Sequence, residues 1–303
     1  MRSDTRKATI VVVCLCAASV SGCSTQHNRG EVRLPDSGGD TATADQPVAD
    51  NITEIDSARP DLNDDVSDGE LEDWPVDRCG GVDTGSGVTA SYSFTRDGEF
   101  ALDEMADDSG NEHHGARHGD ATAVSVLIIG ANTNDYASVP AEVLDGADNF
   151  SVEVRVQLDL VQAANNMIIS AAGDSGFNEF GLSYVRDMGR MNWGLALHEQ
   201  PTFFAPDVTV EDLEWHHVAL VRRGGTARLY IDGEQSGPDL EVGCGPLTVP
   251  TGGLIIGQDQ DTLGGGFQLT QALAGKLDNL RFYRRVLTLS EIAFHHAETG
   301  WGP

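Results

Sequence analysis

An all-β antiparallel sandwich with one short C-terminal helix, carried behind a disordered stalk, is the fold class that the sequence predicts. Three observations carry this. Short β-branched and aromatic runs recur between Gly, Asn and Asp punctuation. Several of them alternate apolar and polar residues. An acidic segment rich in Pro, Gly, Ser and Thr, with little apolar periodicity, precedes them all.

The elements are justified in chain order. Arg2, Arg6 and Lys7 lead into an apolar run, Ala8 to Val20, which ends at the small residues Ser21 and Gly22; this is the layout of a secretory signal. A run of thirteen residues spans only about 20 Å as a helix, short of the ~30 Å hydrocarbon core, so no membrane-spanning helix is expected. Val20-Ser21-Gly22-Cys23 resembles the bacterial lipobox, in which the cysteine is acylated and becomes the first mature residue. An ordinary signal with a chance cysteine is the alternative. Residues 1–22 therefore read as a lipoprotein signal peptide and Cys23 as the lipidation site, carrying palmitate-type chains. Ser24 after the cysteine implies, by the same resemblance, an outer-membrane destination. Contact with the membrane is expected through the lipid anchor only, several chains holding where one is marginal. Cleavage removes three basic residues and Asp4, which takes the formal charge from −29 to −31. Such a surface repels nucleic acid and favours divalent cations and neutral ligands.

Residues 23–78 read as the stalk. Between Ser24 and Asp77 there are fifteen Asp or Glu against Arg29, Arg33 and Arg59. Such a segment cannot bury enough apolar surface to offset chain entropy. As a flexible coil it reaches about 40 Å, and self-repulsion extends it.

Residues 79–303 contain no second polar linker and read as one domain. Strand candidates are Tyr92–Arg96, Asp135–Val139, Phe150–Leu158, Met167–Ala171, Phe180–Val185, Asn192–Leu197, His216–Arg222, Ala227–Ile231, Leu254–Ile256 and Leu277–Tyr283. In the third, Phe150, Val152, Val154, Val156 and Leu158 share one face, and Ser151, Glu153, Arg155 and Gln157 the other; one face should be buried and one wet. Gly224-Gly225 and Asp232-Gly233 supply the positive φ of tight hairpins. Thr288 and Glu291 have capping-box spacing ahead of Ile292, Ala293 and Phe294, with Gly300 as a natural helix stop.

Four stretches in order carry a family resemblance. They are Ala106-Asp107-Asp108-Ser109-Gly110-Asn111 through Gly115; Asp135–Pro140 followed by Phe150–Val154; Trp215-His216-His217-Val218-Ala219 leading to Leu229–Gly233; and Gly275–Tyr283 with Leu287 and Glu291-Ile292 behind. Over about residues 87 to 298 the chain resembles the LamG-like jelly roll of the concanavalin A-like lectin and glucanase superfamily. The resemblance implies a two-sheet jelly roll, mostly non-catalytic, that serves as a carbohydrate-binding or adhesion module and often holds a structural Ca2+. It further implies Asp107, Asn111 and Asp278 as side-chain ligands, with carbonyls such as that of Gly110 completing the shell. The alternative is that Asp107 and Asn111 only bond their own turn and that Asp278 is a solvated strand residue. Glu112, His113 and His114 depart from the family's small residues and Asn at this loop.

Catalysis is not expected. The glucanase branch uses two Glu four residues apart with an Asp between them, and no Glu-x-Asp-x-Glu run occurs here. Zinc is not expected either: His216 and His217 are adjacent on a strand and point to opposite faces, and no cysteine or carboxylate set completes His113, His114 and His118. For ligand stacking the candidates are Phe203 and Phe204, between Pro201 and Pro206 in what reads as a connection; the alternative is that one packs into the sandwich rim. Trp193, Trp215 and Tyr230 lie in strand patterns and default to core packing. Once Cys14 and Cys16 leave with the signal and Cys23 is acylated, Cys79 and Cys244 remain, and an exported even pair reads as a disulfide. The expected function is an outer-membrane or cell-surface lipoprotein with a glycan-binding module. A protein-adhesion or structural surface module is the alternative, and a glycoside hydrolase the weakest reading.

Overall fold

The computed structural model describes residues 74–95, 103–130, 133–159, 165–173, 178–187, 190–204 and 209–298. The segment expected to be a signal peptide, Cys23 and the expected stalk as far as residue 73 lie outside the described residues. The chain forms β1 (Val88–Tyr92), β2 (Glu104–Met105), β3 (Gly115–His118), β4 (Thr122–Ala123), β5 (Leu127–Ile129) and β6 (Tyr136–Val139). Next come β7 (Phe150–Leu158), β8 (Asn165–Ala172), β9 (Asn178–Asp187), β10 (Arg190–Leu197) and β11 (Gln200–Phe204). The remainder gives β12 (His216–Arg223), β13 (Thr226–Ile231), β14 (Glu234–Gln235), β15 (Leu240–Glu241), β16 (Leu254–Ile256), β17 (Gly275–Tyr283) and the helix α1 (Leu289–Ala297).

The strands build two antiparallel sheets. One runs β14-β13-β12-β7-β17-β5-β4, with β1 on β17 and β15 on β13. The other runs β11-β10-β9-β8-β16-β6-β3-β2. Their inner faces form one apolar core, to which β7 contributes Phe150, Val152, Val154, Val156 and Leu158, as its alternation predicts. Phe150 meets Phe180 of the opposite sheet edge to face at 5.2 Å between centroids, a favoured aromatic geometry. The jelly-roll sandwich expected from the sequence is thus present. Trp193 and Tyr230 are buried, while Trp215 is half-buried beneath Arg155.

Three features refine the reading from sequence. The outer face of β7 is not wet along its length, because α1 lies over it and Ser151 and Glu153 are both fully buried. A second apolar cluster under that helix joins Ala219, Val221, Tyr283, Leu287 and Ile292. Trp74 belongs to the same cluster, packed against the Arg228 guanidinium at 4.2 Å. The helix start is the capping box that Thr288 and Glu291 promise: the Glu291 N–H donates to Thr288 Oγ1 and the Thr288 N–H to Glu291 Oε2.

Cys79 and Cys244 form a disulfide with their Cα atoms 5.5 Å apart. The bond pins the domain's first turn, in which the Asp77 carboxylate accepts the N–H groups of Cys79, Gly80 and Gly81. It also pins a loop that buries Arg222 completely, the guanidinium donating to the carbonyls of Gly243 and Gly245.

Candidate ligand groove and cation site

The outer face of the second sheet is open across β8 to β11 and forms a groove of about 270 Å³. Strand register explains its shape. Met167, Ser183, Gly194 and Phe203 are successive cross-strand partners, and Gly181, Ala196 and Pro201 make the next row. Gly181, Ser183, Gly194 and Ala196 therefore form a floor of small residues between Met167 on one side and Phe203 on the other. A Cβ at Gly194 would come within 2.7 Å of Ser183 Oγ and 3.5 Å of the Phe203 ring, so glycine keeps this floor low. Val185 and Arg186 close one end, and Asn178 and Asp259 the other. Arg186 is also 3.9 Å from Glu211.

The phenylalanine pair needs a correction. It lies not in a connection but on the edge strand β11, where Pro201 is tolerated because an edge position has no obligatory ladder bond. Alternation then separates the pair: Phe204 is fully buried opposite Trp193, and Phe203 is 45% exposed in the groove. Phe204 is a core residue and not a ligand contact.

The chemistry concentrates at the Asp259 end. After β16 the chain lies back over its own sheet, anchored by Gln260, whose amide donates to the Ser170 and Gly253 carbonyls, and by Gln258, which donates to the Thr133 and Asp135 carbonyls. Between and beyond these anchors come Asp259 and Asp261. Asp259 accepts from Asn178 Nδ2 at 2.6 Å and from Gln271 Nε2 at 2.8 Å, and Asp261 accepts from Gln268 Nε2 at 2.9 Å. Burial pushes the Asp259 carboxyl above the usual carboxylate range, against the Asn178 hydrogen bond and with help from the Asp261 charge. The amide oxygens of Asn178 and Gln271, the two side chains that bond Asp259, are buried with no donor among the described residues. Two carboxylates and two spare amide oxygens are hard donors of the kind Ca2+ takes. Among the described residues no three His, Cys, Asp or Glu side chains gather as a metal-binding group, so an ion here would depend on those amide oxygens.

The candidates Asp107, Gly110, Asn111 and Asp278 are arranged differently. The Asp107 carboxylate accepts the N–H groups of Ser91, Ser109 and His113 and the Ser109 hydroxyl. Burial raises its pKa, but these bonds outweigh that and leave it below the ordinary value. Asn111 Nδ2 donates to the Val88 and Thr89 carbonyls, and Gly110 supplies the turn with φ 83°. Asp278 accepts its neighbour's N–H and lies 4.0 Å from Arg155. In the structure the first loop spends its oxygens on its own turn, as in the alternative that its Asx content left open. The histidines are also held separately: His113 at the Thr89 carbonyl, His114 at the Asp107 N–H and His118 at Ser138 Oγ. His216 bridges Asp232 and Asp212, while His217 turns to the other face and meets Glu153.

Residues 131–293 match the family described as Laminin_G_3, of the concanavalin A-like lectin/glucanases superfamily. Human neuronal pentraxin-1 is 39% identical over 85 residues, which are 27% of this chain and 20% of that protein. Human adhesion G protein-coupled receptor D2 is 30% identical over 176 residues, 57% of this chain and 18% of the receptor. The chain thus spans about a fifth of the length of these curated relatives. Trypanosoma rangeli sialidase superposes with a TM-score of 0.51 at 17% identity, over 77% of this chain and 37% of the sialidase, a likeness of fold. With more than half its residues matched, the chain belongs to the concanavalin A-like lectin/glucanase superfamily.

Proposed function

We propose that this domain is a non-catalytic module that binds carbohydrate in the groove of β8 to β11, with Ca2+ at the Asp259 end. The observation that carries the reading is the juxtaposition of a low floor, an exposed Phe203 and the Asp259–Asp261–Asn178–Gln271 donor set. A sugar ring offers a C–H face that packs on an aromatic side chain and hydroxyls that bond to amides and carboxylates. If the Asn178, Gln268 and Gln271 amides turned over, their oxygens would join the carboxylates around one ion. Bound Ca2+ would supply a positive charge for hydroxyl or acidic groups of the ligand. Binding is favoured over hydrolysis because both Asp259 oxygens are held by amide donors and the sequence lacks the paired Glu of the glucanase branch. Acylation of Cys23 would hold the module at the outer membrane on its acidic stalk.

The test is a glycan array probed with the full-length chain in detergent, with Ca2+ and with chelator. Calcium-dependent capture of a glycan class, lost in Asp259→Asn and Phe203→Ala, is the expected result. A blank array in both conditions would overturn the glycan reading and leave protein adhesion as the occupant of this surface.

A further inference from the structure

The hairpin between β10 and β11 turns on two residues, His198 and Glu199, both left-handed at φ 48° and 63°. Asn-Gly is the easy sequence for a two-residue hairpin of this kind, and His-Glu is a strained choice. The strain holds a particular set of bonds. The His198 N–H donates to the Glu179 carbonyl at 2.9 Å, and the Glu199 N–H to the Asn178 carbonyl at 3.1 Å. The His198 ring then faces an oxygen at each nitrogen: Nδ1 is 2.8 Å from Glu179 Oε1 and Nε2 is 3.2 Å from the Gly245 carbonyl. Glu179 Oε1 also accepts the Thr248 N–H at 3.0 Å.

Three elements therefore meet at one His–Glu pair: the start of β9, the β10–β11 turn and the loop of the disulfide. That loop fits closely, since a Cβ at Gly243 would approach the His198 ring to 3.1 Å. Cys244, between Gly243 and Gly245, fixes it to Cys79. Immediately before Glu179 is Asn178, whose amide holds Asp259. Neither His198 nor Glu179 lines the groove.

We infer that His198 and Glu179 are positioning residues for the cation end of the groove, which set the Asn178 amide against Asp259 by tying the start of β9 to the disulfide-bonded loop 242–249. The inference rests on the reading of the Asp259 cluster as a Ca2+ site. Residues that orient metal ligands from behind commonly change metal affinity about ten-fold when replaced.

The test uses the full-length chain and Ca2+ alone as the probe. Affinity is read by titration calorimetry, stability by thermal unfolding and the Asn178 side-chain amide by its NMR signal in Ca2+-free protein. Asn is a preferred residue for the left-handed turn, so His198→Asn should keep or raise the melting temperature while weakening Ca2+ about ten-fold and moving the Asn178 signal. Glu179→Gln keeps an acceptor for Thr248 and should give a smaller loss of the same sign. Wild-type Ca2+ affinity and an unmoved Asn178 signal in both variants would overturn the inference. If the wild-type chain binds no Ca2+, the calcium reading fails instead. The Asn178 signal then decides positioning alone, a shift in His198→Asn supporting it and no shift refuting it.

Discussion

The outer faces of the two sheets set buried carboxylates in opposite surroundings. On the first sheet Glu153 is closed in beneath α1, where His217 Nε2 is 3.3 Å and His295 Nδ1 2.8 Å from its oxygens and the Tyr283 hydroxyl donates at 3.1 Å. On the second sheet Asp259 lies at the end of an open groove, among amides whose oxygens have no donor among the described residues. A buried acid surrounded by donors is a fastening. One surrounded by spare oxygens has capacity left for a ligand.

The largest effect should come from breaking the closed side. Burial alone would push Glu153 up, but hydrogen bonds from His217 and His295 and their charge hold its pKa at about 2, below the ordinary 4.5. Glu153→Ala leaves two histidines buried without their anion and should cost about 3 to 5 kcal/mol in urea unfolding, with the Ca2+ response of the other face unchanged. The depressed value also fixes a sign. The contribution is complete above pH 4.5 and is lost as pH falls toward 2, so the variant should lose this part of the wild-type acid transition. His216 acts in the other direction: the Asp232 hydrogen bond, set against burial and aided by Asp212, raises its pKa to about 9. Its contribution is full below pH 6.5 and is lost as pH rises through 9. An acid limb that is the same in Glu153→Ala and wild type would remove the fastening from this account.

A smaller effect tests the open side. Ca2+ at a hundred times its Kd should add about 2.7 kcal/mol of stability by mass action, seen as a rise in melting temperature that chelator reverses. Asp259→Asn should abolish that rise and Asp278→Ala should leave it intact. The reverse pattern would return the ion to the Asp107 loop and Asp278.

How far the sequence reveals this contrast follows from the distance over which each signal acts. The long strands were legible because Phe150 to Leu158 alternates over nine residues, and the α1 cap because Thr288 and Glu291 are three apart. Pairs such as β2, β4, β14 and β15, two residues each, carry no period to read. The covering of β7 was hidden for another reason, since Ser151 and Glu153 look like a wet face until a helix 142 residues from Glu153 brings His295 over them. At the groove, Asp259 and Asp261 beside Gly264-Gly265-Gly266 were a local hint of an oxygen-rich loop. Asn178, 81 residues earlier, joins them only through the register of β8, β9 and β16. The disulfide was legible by elimination, because Cys79 and Cys244 were the pair left over.

The most direct test of the open face separates the two neighbouring phenylalanines, and its Phe203 arm carries the smallest effect on stability. Phe204 is fully buried in the core opposite Trp193, so Phe204→Ala should cost about 3 to 5 kcal/mol through lost burial and the cavity left behind. Phe203, one residue earlier and 45% exposed, has about half its surface covered, and its truncation should cost about 1 kcal/mol, well below the loss at Phe204. Its expected effect is on the ligand. As the aromatic wall, among the described residues, of a groove whose floor is Gly181, Ser183, Gly194 and Ala196, its ring would supply the stacking face of the proposed site, and its loss should weaken glycan binding about ten-fold, the scale of an interface residue worth more than 1 kcal/mol. Ca2+ affinity should stay at the wild-type value, because the Asp259 donors do not include the ring. Unfolding curves and glycan titrations on Phe203→Ala and Phe204→Ala give four outcomes. A Phe203→Ala variant that binds glycan like wild type would move the ligand off this groove, whatever Phe204→Ala does to the fold.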